Sequence, residues 1–126
     1  MSESVAPLVL YIEDDRIQLI LVEEMFRRLP GWELVCAETG AEAMALLAQR
    51  RPLLALIDMR LPDTTGLALI ERLRADPALA GLRCVAVSAD DPADVKAAAR
   101  SAGFDDHWTK PLDSARLAAL LQSLRP

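Results

Sequence analysis

Apolar runs and stretches of helical spacing alternate five times along the chain. The first run, Leu8-Val9-Leu10-Tyr11-Ile12, stops at Glu13-Asp14-Asp15 and predicts a strand. A helix is expected from Ile17 to Arg28, with Asp15 as its cap, Gln18 three residues on, and Pro30-Gly31 closing it. A second strand is read at Glu33 to Ala37. Thr39-Gly40-Ala41-Glu42 is a capping box, and the Ala/Leu-rich segment after it predicts a helix to about Arg50. The third run, Leu53 to Ile57, ends on Asp58, and a helix follows from Leu67 to Ala75, stopped by Asp76-Pro77. Arg83 to Val87 is the fourth strand. Asp91-Pro92-Ala93-Asp94 combines a cap, a first-turn proline and a first-turn acid, so it predicts a helix start. Gly103 closes that helix as a left-handed residue. Phe104 to Thr109 has poor strand propensity and is placed mainly by register, before a last amphipathic helix from Ser114 to Leu124.

Five strand–helix units imply an α/β fold, a parallel sheet with helices on both faces. The first and third strands are the most apolar, and both end on acids. That suits a flavodoxin-like (βα)5 three-layer sandwich of strand order 2-1-3-4-5, whose ligand site lies at the carboxyl ends of the strands, at the switch point between strands one and three. Glu13, Asp14 and Asp58 then share one rim with Ser88 from strand four and Lys110 from strand five.

Composition narrows the function. The 126 residues suffice for one domain with one core, taken as residues 1–126, and 52% hydrophobic content argues against disorder. The net charge of -5, without a basic cluster, gives no reason to expect direct nucleic-acid binding. No apolar stretch reaches the roughly 20 residues of a membrane span, and Met1-Ser2-Glu3-Ser4 lacks a signal-peptide layout. Cys36 and Cys84 read as small buried hydrophobes in a reducing compartment, so a cytoplasmic protein is expected.

The rim residues carry the chemistry. Two carboxylates ~5 Å apart at an effective dielectric of ~20 repel by roughly 3 kcal/mol, so three together need a cation or shifted pKa values. Their oxygens suit Mg²⁺, which takes one or two carboxylates with waters and a phosphate oxygen. Lys110 would neutralise a phosphoryl oxygen as a point charge, and the Ser88 hydroxyl would donate to another. The set fits phosphoryl transfer to a carboxylate nucleophile, giving an acyl phosphate. Taken singly, each residue has a plainer reading: a helix cap for Asp14 or Asp58, a turn residue for Ser88, a solvated lysine for Lys110. Four strand ends supplying the set together make the plain readings improbable.

From Leu8 to Leu124 the chain resembles the receiver domains of two-component response regulators. Leu10-Tyr11-Ile12-Glu13-Asp14-Asp15 is similar to the family's acidic-pair segment. Asp58 to Gly66, with Pro62 and Gly66 in place, resembles its phosphoacceptor motif. Val87-Ser88-Ala89 matches the hydroxyl-bearing strand end, and Thr109-Lys110-Pro111-Leu112 the lysine–proline motif. The resemblance implies that Asp58 accepts a phosphoryl group from a sensor histidine kinase or a histidine phosphotransfer protein. It implies Mg²⁺ held by Glu13, Asp14, Asp58 and the Arg60 backbone carbonyl, with Ser88 and Lys110 on the phosphoryl group. It implies that Arg60 and Asp90 tune the acyl phosphate's lifetime. It also implies output to a downstream protein or a self-dimer through the face of the fourth helix, fifth strand and fifth helix. Such a domain is no turnover enzyme, but it catalyses its own phosphorylation and dephosphorylation. Two departures stand out. The acidic pair is Glu13-Asp14 instead of two aspartates. His107 stands where the family usually has tyrosine or phenylalanine; as a smaller ring it is expected to couple phosphate to that face more weakly, unless it is an exposed edge residue with no switching role.

The competing readings are a receiver-like docking module that is never phosphorylated, and a small aspartyl-phosphate phosphatase. The dehalogenase-type phosphatases need a second aspartate where this chain has Arg60. A flavodoxin would need a Ser/Thr/Gly-rich loop after the first strand, and that is missing. At this length the chain is expected to be a free-standing regulator or a receiver from a hybrid kinase.

Overall fold

The computed structural model describes residues 6–89 and 93–125, without the side chain of residue 94. Its elements alternate: β1 Leu8–Ile12, α1 Arg16–Arg27, β2 Glu33–Ala37, α2 Gly40–Leu47, β3 Leu54–Asp58, α3 Gly66–Ala75, β4 Arg83–Ser88, α4 Ala93–Ala102, β5 Asp106–Thr109 and α5 Ser114–Leu124. All strand pairs are parallel, in the order β2-β1-β3-β4-β5. The central strands β1 and β3 are buried along their whole length. That is why they read as unbroken apolar runs and not as alternating ones.

One face of the sheet packs Ala43 and Leu47 of α2, Leu69, Ile70 and Leu73 of α3, and Ala99 of α4 against Leu10, Ile12, Ala55, Ile57 and Ala86. The opposite face packs Val22 and Phe26 of α1, with Leu117 and Leu121 of α5, against Val9, Tyr11, Leu56, Val85, Val87 and Trp108. Each Val, Leu, Ile or Phe among them contributes about 1.5–3 kcal/mol when fully buried, and each alanine less. The result is three layers around two half-cores, as the run pattern predicts.

Local signals set the helix starts. Asp15, Thr39 and Asp113 cap α1, α2 and α5 by accepting backbone N–H bonds. Thr65, not singled out in the sequence, caps α3 through the Ala68 N–H. Gln18 does not complete a capping box at α1: its side-chain oxygen is buried without a hydrogen-bond partner among the described residues. At α2 the Glu42 carboxylate bonds the Glu38 N–H, one residue before the Thr39 cap.

Two boundaries differ from expectation. The α2 helix ends at Leu47 and not near Arg50, whose guanidinium is drawn off to Glu33 at 2.8 Å. The β5 strand starts at Asp106 and not at Phe104, because Phe104 N–H still bonds Ala99 O at the helix end and Gly103, at φ 121°, turns the chain there. The expected α4 cap at Asp91-Pro92 lies outside the described residues. Cys36 and Cys84 are free thiols, raised by burial to about 11 and about 12, so both stay protonated at neutral pH. Among the described residues no helix is long and apolar enough to cross a membrane.

Candidate functional site

The parallel strands all end at one rim, and the ladder continues just past them. Glu13 N–H bonds Ala37 O at 2.9 Å, Met59 N–H bonds Val87 O at 3.0 Å, and Lys110 N–H bonds Ser88 O at 2.8 Å. These backbone bonds fix where each rim side chain begins. Asp58 points into the rim at 5% exposure. One of its oxygens accepts the Arg60 N–H at 3.2 Å, and the other lies 3.2 Å from Lys110 Nζ. Lys110 Nζ also sits 2.7 Å from Glu13 Oε1, so the ammonium bridges two carboxylates. Glu13 is fully buried and accepts further bonds from the Tyr11 hydroxyl and the Asp15 N–H, both at 3.1 Å. Asp14 is exposed at the mouth.

The loop after Asp58 is tight. Leu61 N–H bonds Thr64 O, Gly66 N–H bonds Met59 O, and Arg60 pairs with Thr65 across an isolated bridge. Gly66 is required by close approach: a Cβ there would lie 2.9 Å from Met59 Cα and 3.0 Å from Asp58 O. Any side chain at this position would push the loop that carries Asp58. Asp63 reaches from the same loop to the start of α2, where its carboxylate accepts the N–H groups of Gly40 and Ala41 at 2.8 and 3.0 Å.

Carboxylate oxygens of Glu13, Asp14 and Asp58 lie within 4.8 Å of one another. With all three ionised, one ammonium leaves two negative charges uncompensated. Burial, and then Glu13, raise the Asp58 carboxyl to about 6, against the Arg60 N–H and the Lys110 charge. Burial opposes the charge on Lys110, but its bonds to Glu13 and Asp58 outweigh that and hold it above the ordinary lysine range. Burial and Glu13 keep the Tyr11 hydroxyl well above the usual phenol range, so Tyr11 stays a donor. The cluster is therefore short of cation, and its hard oxygen donors suit a divalent ion. A cleft of ≈ 810 Å³ opens over it, lined by Glu13, Asp14, Asp58, Arg60, Ser88 and Lys110, with Leu61, Leu67, Ala89 and Val95 as apolar walls.

The structure thus brings together Glu13, Asp14, Asp58, Ser88 and Lys110, with Arg60 on the cleft wall. Lys110 is no solvated lysine, since its side chain is only 13% exposed. Asp90 lies outside the described residues. His107 is not an exposed edge residue: it is 3% exposed, and its Nε2 lies 2.8 Å from Ser88 Oγ. Sequence reasoning missed three contributions: the Tyr11 hydroxyl on Glu13, the Asp63 cap, and the His107–Ser88 bond. Only the first had a signal, because residues two apart on a strand share a face.

The family model of the response regulator receiver domain matches residues 9–122. The chain belongs to that family. Response regulators work with histidine kinases, and their receiver domains are signalling domains, not turnover enzymes. The chain is 30% identical to the probable transcriptional regulatory protein TcrX of Mycobacterium tuberculosis over 94% of its own length and 50% of that protein's. It spans about half the length of the curated transcriptional regulators it matches. Among solved structures, it is similar to a CheY-like receiver domain from Methylobacillus flagellatus, with 33% identity, a TM-score of 0.79, and 94% and 98% of the two chains covered. It is also similar to the Mn²⁺-bound form of response regulator Rcp1, with 25% identity, a TM-score of 0.77, and 94% and 91% covered. The five-stranded order and the acidic rim of this receiver domain are those the sequence predicts.

Proposed function

We propose that this receiver domain is a phosphoacceptor and that Asp58 is its single phosphorylation site. The observation that carries the reading is the Lys110 ammonium held between Glu13 and Asp58 beside an exposed Asp14, at the floor of an open cleft. The donor is a phosphohistidine on a sensor kinase or a phosphotransfer protein. Its N–P bond breaks as an Asp58 oxygen forms the new O–P bond, and the imidazole is released. Lys110 stands beside Asp58 to balance the charge brought in, and Ser88 lies where its hydroxyl can donate to a phosphoryl oxygen.

Glu13, Asp14, Asp58 and the Arg60 carbonyl are the groups that would hold Mg²⁺, a reading supported by the Mn²⁺-bound relative. When bound, the ion neutralises the carboxylates and polarises the phosphoryl oxygens. Arg60 is exposed on the cleft wall, where it can hinder the water that hydrolyses the acyl phosphate, with Asp90 as its partner in that role. Output runs through protein contacts on the face of α4, β5 and α5. On that face Asp106 holds Arg100 at 3.5 Å and Arg116 at 3.3 Å, and Arg116 stacks over Trp108.

The test is incubation with acetyl phosphate followed by intact-mass measurement. The expected result is one added phosphate in Mg²⁺ and none with chelator. Asp58→Asn should stay unlabelled. Full labelling of that variant, or labelling undiminished by chelator, would overturn the assignment.

A further inference from the structure

His107 is the chain's single histidine, and the fold puts it in an unusual position for a polar ring. In the β4–β5 register Ala86 lies opposite His107 and Ser88 opposite Thr109. Side chains alternate along a strand, so Ala86, Ser88 and His107 share the sheet face that packs against α4, whereas Trp108 points to the opposite half-core. The buried ring meets Ser88 Oγ through Nε2 at 2.8 Å, while Ser88 also lines the cleft over Asp58 and Lys110.

The direction of that hydrogen bond decides what Ser88 can do. A hydroxyl has one proton and two lone pairs, whereas phosphoryl oxygens only accept. If Ser88 gave its proton to the ring, it would have to break that bond before it could donate to a phosphoryl group. If the ring gives its own Nε2 proton, Ser88 accepts from His107 and donates into the cleft at the same time. Only the second arrangement satisfies the ring's Nε2, the hydroxyl and the phosphoryl oxygen together, and linked bonds of this kind strengthen one another.

We propose that His107 is a positioning residue that donates Nε2–H to Ser88 and so aims the Ser88 proton at the phosphoryl group on Asp58. The inference rests on the phosphoacceptor reading and adds a route from that site to β5. Here β4 and β5 communicate through a hydrogen bond and not through the volume of an aromatic ring.

The single histidine makes the test direct. Protein labelled with ¹⁵N-histidine is examined by NMR, free and with Mg²⁺ and beryllofluoride as the phosphoryl mimic. In the complex Nε2 is expected to carry a proton. His107→Phe should weaken beryllofluoride binding by about three- to tenfold, the effect of one net hydrogen bond. His107→Gln, which regains an N–H donor, should recover part of that loss. In a Ser88→Ala background His107→Phe should cost nothing further. A bare Nε2 in the loaded protein, or an equal loss from His107→Phe with and without Ser88, overturns the inference alone. A wild-type protein that takes up no beryllofluoride overturns the phosphoacceptor reading and this inference with it.

Discussion

Asp58 is a carboxyl placed where its own ionisation is opposed. Burial and the neighbouring Glu13 raise it from 3.8 to about 6. A group raised in the folded state stabilises the fold below its unfolded pKa, and that contribution is lost as pH rises through the folded value. Above about pH 6 the charged Asp58 therefore works against folding in metal-free protein. Asp58→Asn is expected to melt higher than the wild type in chelator at neutral pH, by at most about 3 kcal/mol at ~1.4 kcal/mol per pKa unit. The gap should close as pH falls well below 6. Thermal melts of both proteins across this range provide the check, and a neutral-pH loss of stability in the variant would contradict the repelling cluster. Asp58, Glu13, Asp14 and Ser88 were legible in the sequence because each follows an apolar run, and the end of a run marks the end of a strand; Lys110 was legible only from the register of the fifth unit and its lysine–proline motif. The Tyr11–Glu13 and His107–Ser88 bonds were not, because they depend on which way a buried side chain turns. Ring size alone said that His107 fills its space poorly; it could not say that the ring is bonded.

At the scale of elements, the loop between β3 and α3 is tied to a helix that precedes it in the chain. Asp63 accepts two N–H groups at the start of α2, where the helix dipole also favours a negative charge. Those backbone bonds hold its carboxyl below the usual range. A depressed carboxyl stabilises the fold above its unfolded pKa, and that support is lost as pH falls through the folded value. Asp63→Asn is therefore expected to lower the urea midpoint at neutral pH and to match the wild type in acid. A constant difference at both pH values would show that the charge is not what matters. The capping residues Asp15 and Thr39 were read locally, since a cap and its helix are contiguous; Asp113 and Thr65 cap their helices in the same way but were not singled out in the sequence. The Asp63 cap spans 23 residues of sequence and has no local signature. β5 was hard to read for a related reason. Asp-His-Trp-Thr has little apolar periodicity, and it becomes a strand because Trp108 buries into one half-core while His107 buries on the other face.

Across the whole molecule, the strand order followed from where hydrophobicity is concentrated. β1 and β3 lie at the centre of the sheet, covered on both faces, and read as unbroken apolar runs that end in acids, whereas the equally flanked β4 ends on Ser88. The same order brings those acids together, so the arrangement that buries the sheet's centre also concentrates charge at its rim. Metal binding at that rim, as proposed, would therefore bear on the fold's stability as well as on the site. A ligand that binds only the folded chain stabilises it by ~2.7 kcal/mol at a hundredfold excess over its Kd. Mg²⁺ is therefore expected to raise the melting temperature of the wild type. Asp14 is the carboxylate to vary, because it is exposed at the mouth while Glu13 and Asp58 are buried and bonded to Lys110. Asp14→Asn should melt like the wild type in chelator, or slightly higher as repulsion falls, and should lose most of the Mg²⁺-dependent rise. Melts of both proteins over a Mg²⁺ series separate the two effects. A variant that keeps the full rise would place the ion without Asp14, and one that loses stability in chelator would make Asp14 a structural residue of the fold.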